Sequence, residues 1–420
     1  MAEQPVDVVV SLGGADVLAG RLFSHRLRGR ESASFGYDSA YLARPDAYAL
    51  DPALPLVHGA QQTSVGLAMF RAFADAAPDR WGRTLITRAE KRRATAEGAP
   101  PRSLGEIDFL LGVRDDLRQG AVRFRDDDGR FLATDEAGVP QLTDLPRLLQ
   151  AAEHLETGDE TDLELRELLR VGSSLGGARP KAHVIGAAGK IAIAKFPSAH
   201  DDTWNVMVWE KVSLDLARAA GIRVPDSELV RIGGRSVLIV NRFDRAGKRR
   251  LGYVSAMTML EATDGDVGSY LDIAAVLEEI SPQATEDLRE LWRRIAFNVL
   301  ISNTDDHLRN HGFLHVHVGS WTLSPAFDLN PNPAPGPKQL STMIDGYETA
   351  ARIDTLVTVA ALFRLTEGDT ASALADVLAA TSRWQRVAAN HALPEAEISD
   401  MAWAFEHPQA EAAQAVASQA

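Results

Sequence analysis

The chain has 420 residues, of which 45% are hydrophobic and 24% charged, and its formal net charge at pH 7 is −14. That length predicts two or three domains, and the acidic charge disfavours sequence-independent binding of DNA or RNA, which requires clustered cations. The absence of cysteine excludes disulfide bonds and thiolate metal sites. No apolar run approaches the roughly 20 residues of a membrane span, and the N-terminus has no secretory signal, so we expect a cytoplasmic protein with no membrane partner.

Patterns in the first part of the chain predict a mixture of strand, turn and helix. Residues 6–12 form a strand-like run, and the alternating aromatic residues and prolines of 35–56 favour strand and turn. Apolar periodicity predicts helices over four further stretches. These are 63–76, 79–93, 105–117 and 143–156.

The middle of the chain has the pattern of hairpins. Two strands flank a glycine-containing turn within 183–196, and a second hairpin turns at Gly233 and Gly234. Between them a helix is predicted over 204–220, and Gly221 is a suitable residue to end it.

The chain after Asp244 is predicted to be mostly helical. A third hairpin is inserted at 313–324, a proline-rich loop follows at 331–337, and the alanine-rich stretch beyond Glu406 predicts a frayed end. A small sheet with one helix, followed by a helical region with an inserted hairpin, is the element order of a protein kinase. The order of helices and strands does not establish function, so the hypothesis must be supported by particular residues.

The polar run NTDDHLRN, Asn303–Asn310, is the first group of such residues. It begins where the apolar stripe of a predicted helix stops, so we expect it on a loop. Asp305 and Asn310 have the D-x-x-x-x-N spacing of a kinase catalytic loop, in which the Asp accepts the proton of the attacking hydroxyl and the Asn binds Mg²⁺. Alternatively, Asp305 or Asp306 caps a helix, because Asp and Asn favour caps and turns.

Asp328, in SPAFDLNPNP, directly follows the third predicted hairpin. Kinases place a metal-binding Asp after such a hairpin, and a carboxylate with an amide oxygen suits a hard cation such as Mg²⁺. The alternative is an Asx-turn that leads into the proline-rich loop.

Lys195 and Glu210 are both charged residues in apolar patterns. Lys195 shares a strand face with Ile191 and Ile193, and Glu210 lies within the apolar stripe of the following helix. Kinases pair a strand Lys with such a helix Glu to hold the nucleotide phosphates. Alternatively, the lysine extends its amine to water from a strand end and the glutamate is an unrelated surface residue.

The glycine-rich stretch at 172–184, GSSLGGARPKAHV, is a candidate phosphate loop. Gly176, Gly177 and Ala178 are small enough to leave backbone N–H groups open to phosphate, and Lys181 adds positive charge. The stretch matches neither common phosphate-loop pattern, so a flexible connector is an equal alternative.

Four histidines, at 307, 311, 315 and 317, surround the third hairpin. With Asp305 and Asp306 they could hold a metal in a phosphohydrolase, although alternate strand residues such as His315 and His317 are more typical of a solvent-facing side.

Together these segments resemble the HipA family over residues 5–385. The resemblance rests on segments in the same order: FGYDSAYLARP (35–45), APDRWGR (77–83), SLGGARPK (174–181), IAKF (193–196), VNRFDR (240–245), NTDDHLRNHGFL (303–314) and LSPAFDL (323–329). It implies an α+β, two-lobed protein-kinase-like fold with an extra N-terminal α+β subdomain and a mostly helical C-lobe. The corresponding regions are 1–115 for the subdomain, 116–245 for the N-lobe, 246–410 for the C-lobe and 411–420 for a frayed tail.

The resemblance also implies a function. Members of the family are ATP-dependent serine/threonine kinases and toxins of toxin–antitoxin pairs, which phosphorylate a translation component such as an aminoacyl-tRNA synthetase. They are neutralised by a small helix-turn-helix antitoxin, HipB-like, through which they meet operator DNA. The implied cofactors are ATP and Mg²⁺.

Roles follow from the resemblance position by position. Asp305 would be the catalytic base, Asn310 and Asp328 would bind Mg²⁺, and Ser174, or its neighbour Ser173, would be autophosphorylated. The residues expected to contact ATP are Lys195 and Glu210 at the phosphates, Lys181, Gly176, Gly177 and Ala178 in the phosphate loop, and Asn241 and Phe243 in the hinge.

The sequence departs from the family pattern at a few positions. Arg309 replaces the usual lysine, Asn241 stands where an acidic residue is common, and Asp306 adds a second carboxylate beside Asp305. A catalytically degenerate kinase-fold module that only binds antitoxin and operator DNA is therefore the alternative function, although the simultaneous presence of all five kinase-type residues argues against it.

Overall fold

The computed structural model describes residues 5–134, 138–174, 177–186, 189–198, 202–247 and 249–418. They form two compact units: a first unit of 1–201, 230–254 and 315–319, and a second unit of 202–229, 255–314 and 320–420. Strands concentrate in the first unit and helices in the second, which confirms the predicted α+β class. Among the described residues, no helix has both the length and the apolar character to cross a membrane.

An antiparallel five-stranded sheet with the order β4-β3-β2-β1-β5 lies at the start of the first unit. Its strands are β1 Val6–Leu12, β2 Ala15–Leu27, β3 Arg30–Tyr37, β4 Ala60–Gln62 and β5 Val122–Arg125. β1 is paired on both edges, with β2 and with β5, and its residues Val8, Val9 and Val10 are fully buried.

Six helices of the first unit accompany its sheets. They are α1 Ser39–Leu42, α2 Arg71–Asp75, α3 Arg80–Ala96, α4 Glu106–Leu111, α5 Leu145–Thr157 and α6 Asp162–Gly172. The helix predicted over 63–76 is wrong for its first half, and only α2 forms. Thr63 is hydrogen-bonded to Ala33 instead, and Gly66 takes a left-handed φ of 93°, so the chain is turned there.

A second sheet with the order β6-β7-β9-β8 contains the two predicted hairpins. Its strands are β6 Lys181–Ile185, β7 Ile191–Lys195, β8 Ser227–Ile232 and β9 Arg235–Asn241, and the short strands β10 Arg245–Ala246 and β11 Arg249–Arg250 follow. The turn between β8 and β9 uses Gly233 and Gly234 at φ of 56° and 83°, as predicted. Ala192 and Ala194 of β7 are fully buried in a core shared with α3, α5 and α6.

The second unit is mostly helical, as expected. Its helices are α7 Val206–Ala219, α8 Ala256–Met259, α9 Tyr270–Ile280, α10 Ala284–Leu300, α11 Ile353–Thr358, α12 Glu367–Thr381, α13 Trp384–Asn390, α14 Glu395–Asp400, α15 Ala402–Phe405 and α16 Pro408–Ala417. Three further strands are β12 Tyr253–Ser255, β13 Gly312–His317 and β14 Ser320–Leu323, the last two at the predicted third hairpin. Residues 408–417, where we expected a frayed end, are helical and bury Ala413 completely.

Candidate functional site

The loop after α10 carries the predicted catalytic residues. Asp305 is exposed, whereas its neighbour Asp306 is only 2% exposed. The Asn310 amide Nδ2 donates a hydrogen bond of 3.0 Å to the backbone oxygen of Asp305. That contact leaves the Asn310 Oδ1 as the oxygen that could ligate a cation.

Asp306 is held as a structural residue. Its Oδ2 accepts hydrogen bonds from the Tyr270 hydroxyl, from Asn298 Nδ2 at 2.7 Å and from His311 Nε2 at 2.9 Å. Burial disfavours the charged carboxyl, but His311 and Tyr270 outweigh it and hold the Asp306 pKa below its ordinary value. Neither Asp305 nor Asp306 caps a helix by its side chain, because Asp306 is engaged in this cluster and His307 begins the next helical turn.

Asp305 and Asp328 interact electrostatically. Partial burial raises the Asp305 pKa, His307 opposes that effect, and the negative charges of Asp328 and Asp306 reinforce it. A raised pKa in a solvent-accessible carboxyl is a property expected of a general base.

The backbone of Asp328 is strained. Its φ of 59° lies in the left-handed region, which costs a non-glycine residue about 1–2 kcal/mol. Such conformations persist where the surroundings impose them and cluster at functional sites. The Asp328 side chain is half-buried.

Glu210 is buried, with 2% exposure, on helix α7. The helix is anchored beside it, because Glu397 Oε1 accepts from the Asn205 backbone N–H at 2.8 Å and from Trp209 Nε1 at 3.0 Å. Trp209 also packs near the stacked rings of Trp384 and Phe405, whose centroids are 4.8 Å apart. Sequence reasoning missed Glu397, since no local signal links residues 192 positions apart.

Lys195 and Lys181 are directly opposite each other in the β6–β7 pair. Lys195 shares the half-buried face of β7 with Ile191 and Ile193, as predicted, whereas Ala192 and Ala194 form the fully buried face.

The candidate phosphate loop is described only in part. Gly176 lies outside the described residues, while Gly177 has a left-handed φ of 79° and Ala178 is exposed. We expected open N–H groups here, but that of Gly177 donates to Asp79. Ser173 and Ser174 are buried, at 2% and 7% exposure.

A polar chain links Ser174 to the predicted hinge. The Ser174 hydroxyl is 3.4 Å from His183 Nδ1, and His183 Nε2 is 3.0 Å from Arg242 Nη1. Burial, followed by the charge of Arg242, lowers the His183 pKa well below its ordinary value, so this imidazole is neutral. Arg242 also binds Asp244, which accepts from the Gly120 N–H at 2.8 Å.

The two predicted hinge residues lie at the end of β9. Asn241 is paired with Ala192 of β7, and the Phe243 ring is 6.3 Å from that of Tyr253.

The histidines do not assemble into a metal site. His311 is engaged with Asp306, and His315 stacks on Tyr48 at 3.9 Å, where burial, with His317, lowers its pKa to about 4. Within the described part of the chain, no three His, Asp or Glu side chains are placed to hold a metal ion.

Comparison with known proteins supplies the relationship. A family model described as the HipA-like C-terminal domain matches residues 173–390, just over half of the chain. The chain belongs to the HipA family. Those residues contain every predicted site residue of this HipA-family protein, whereas Asp79, Glu397 and Phe405 lie outside them.

Two curated relatives match shorter stretches. "Putative kinase Y4dM" of Sinorhizobium fredii is 30% identical over 159 residues, covering 34% of this chain and 36% of the relative. A "Putative kinase" of Haemophilus influenzae is 24% identical over 135 residues, covering 29% of this chain and 39% of the relative. The HipA-family chain thus spans little more than a third of the length of these curated relatives.

A solved structure extends the likeness to the whole fold. It is the complex of HipA, HipB and operator DNA from the Shewanella oneidensis MR-1 toxin–antitoxin system, with a TM-score of 0.64, 16% identity, and coverage of 98% of this chain and 99% of that one. At that identity the likeness shows the fold, which is the predicted two-lobed HipA type with its N-terminal subdomain.

Proposed function

We propose that this HipA-family protein is an ATP-dependent serine/threonine protein kinase and the toxin of a toxin–antitoxin pair. The observation that supports the proposal most is that two neighbouring aspartates differ in their surroundings. Asp306 is hydrogen-bonded within a buried cluster, whereas Asp305 is exposed and feels the negative charge of Asp328. Protein kinases use one Asp to accept the proton of the substrate hydroxyl and a second Asp to hold Mg²⁺, the roles that we assign to Asp305 and Asp328.

Each residue of the proposed site has one task. Asp305 accepts the proton of the substrate hydroxyl and orients its oxygen toward the γ-phosphorus. Lys195, Glu210 and Lys181 are the residues we assign to the ATP phosphates, whose negative charge the two lysines offset, and the backbone near Phe243 and Asn241 contacts the adenine. Arg309 adds a cation at the loop, although its guanidinium is bound by Asp264 at 2.9 and 3.0 Å.

Asp328 and Asn310 would hold Mg²⁺. The donor set fits the ion, because one carboxylate and one amide oxygen leave positions for phosphate oxygens and water. When bound, Mg²⁺ would neutralise charge on the transferring phosphoryl group.

The test of the proposal is phosphate transfer by purified protein with radiolabelled ATP and Mg²⁺, compared with Asp328→Asn. Asparagine tolerates the left-handed backbone, so the variant should fold like the wild type while losing most transfer activity, about 100-fold or more. Asp345→Asn, in an exposed turn, is the control. A wild-type protein that transfers no phosphate to itself or to any protein would overturn the kinase proposal, and full activity of Asp328→Asn would remove Asp328 from the site.

Autophosphorylation at Ser174, or Ser173, is a further part of the proposal. Both hydroxyls are buried, so modification requires this segment to open, and a dianionic phosphate could not return to the same position beside Val171 and His183. Peptide mapping of the self-labelled protein should find the phosphate at 173 or 174, and labelling elsewhere alone would contradict this.

The proposed partners are a small helix-turn-helix antitoxin and a protein substrate in translation. This chain would contact DNA only indirectly, through the antitoxin. The solved relative from S. oneidensis was crystallised with HipB and operator DNA, and the net charge of −14 suits a chain that leaves DNA contact to its partner. Gel filtration with the product of the neighbouring reading frame tests this. Separate elution would contradict it.

A further inference from the structure

Gly177, in the candidate phosphate loop, is held on both of its backbone polar groups by the start of helix α3. Its N–H donates to Asp79 Oδ2 at 3.0 Å, and its carbonyl accepts from the Trp81 N–H at 3.1 Å. The two partners are about a hundred positions away in sequence. A glycine at φ 79° is thereby fixed in one conformation.

Asp79 does not perform the local task that its position predicts. It is the N-cap residue of α3, where an aspartate usually accepts from the N–H of the first helical turn, a contact worth about 1 kcal/mol. Here its side chain makes no capping hydrogen bond and binds Gly177 instead. The local capping contact has been exchanged for one with the candidate phosphate loop.

Trp81 holds the other end of the same segment. Its indole Nε1 donates to the backbone oxygen of Lys181 at 2.8 Å, and the ring is 4% exposed. Two glycines permit this close packing. A Cβ on Gly82 would lie 2.5 Å from the backbone oxygen of Ser173, and one on Gly172 would lie 2.9 Å from Trp81 Nε1.

Lys181 completes the arrangement. Its ammonium lies 2.6 Å from the point where a Cβ of Gly177 would be, so the flexible lysine side chain ends beside this glycine. The first turn of α3 therefore fixes the Gly177 backbone and the Lys181 carbonyl. Both border the space that the Lys181 ammonium occupies.

We infer that Asp79 and Trp81 are positioning residues for nucleotide binding, an inference that rests on the proposed kinase function. Neither touches ATP. They hold Gly177 and strand β6, which begins at Lys181, in the conformation that receives the phosphates. Less conformational entropy is therefore lost when the nucleotide binds. The N-terminal region, whose role the sequence leaves open, thus supports the ATP site without contacting the nucleotide.

The experiment measures Mg-ATP binding by calorimetry on full-length Asp79→Ala and Asp79→Asn. We expect the alanine variant to bind about tenfold more weakly, because it loses a charge-assisted hydrogen bond. Asparagine keeps an oxygen acceptor for the Gly177 N–H and should restore most of the affinity. In phosphate transfer, KM for ATP should rise and kcat should change little, as expected when binding alone is affected.

Arg80→Ala is the matched control, since this exposed residue lies between the two positioning residues. Trp81→Phe, which keeps a ring but removes the indole donor, is the second test and should weaken Mg-ATP binding about threefold or more. Hydrogen exchange of peptides covering 177–185, measured without nucleotide, should accelerate in Asp79→Ala and in Trp81→Phe but not in Arg80→Ala.

The possible outcomes separate the inference from the proposed function. Unchanged exchange and unchanged affinity in both variants would overturn the inference alone. Faster exchange with unchanged affinity would also overturn it, since the contacts would then be structural only. A wild-type protein that does not bind Mg-ATP would instead refute the proposed kinase function, and the inference with it.

Discussion

Asp305→Asn should reduce phosphate transfer by about 10²–10⁴-fold, the usual contribution of a general base. Asparagine is nearly the same size and cannot accept the hydroxyl proton. Asp305 is exposed and anchors the loop through its backbone oxygen, which the variant keeps, so folding should be unaffected. Transfer rates at saturating Mg-ATP, with exposed Asp400→Asn as the control, measure the effect.

The same variant should gain stability at neutral pH. The folded-state pKa of Asp305 is raised, first by partial burial and then by neighbouring carboxylates. A raised acid pKa means that this group favours the folded state most below its unfolded pKa, and that the contribution is lost as pH rises through the folded pKa. Removing the charge should therefore raise the unfolding midpoint at pH 7, and the gain should disappear in acid.

For the wild type, kcat/KM should fall as pH drops through the raised Asp305 pKa, which lies above the ordinary value for an aspartate. If Asp305→Asn keeps wild-type transfer rates, Asp305 is not the base. If it unfolds, the residue is structural.

Asp306→Ala should change stability more than Asp305→Asn does, lowering the free energy of unfolding by about 3 kcal/mol. It would leave the Tyr270 hydroxyl, the Asn298 amide and the His311 imidazole buried without their shared acceptor. Urea unfolding should show a lower midpoint with an unchanged slope.

Tyr270→Phe is the graded comparison, since it removes one of the three donors and should cost about 1 kcal/mol. The adjacent Asp305→Asn is the matched control, with no loss of stability. An Asp306→Ala protein as stable as the wild type but inactive would contradict the division of roles between the two aspartates.

Features that depend on short-range chemistry could be predicted from the amino-acid sequence. The end of an apolar stripe predicted that Asp305 and Asn310 follow a helix, and Gly233 and Gly234 predicted a turn that the structure contains. Such signals are local because turn conformation and helical periodicity are properties of neighbouring residues. The motif order was also sufficient to place the chain in its family.

Tertiary structure alone decided which of two adjacent aspartates is buried, and that Lys181 and Lys195 are directly opposite in a sheet. It also decided that Asp79 binds Gly177 instead of capping its own helix, and that Glu397 anchors α7. The contacts of Asp79 and Glu397 join residues 98 and 192 positions apart, and their energy comes from groups that meet only after the chain has folded. A one-dimensional pattern carries no record of such pairs, because each partner by itself looks like an ordinary cap or surface charge.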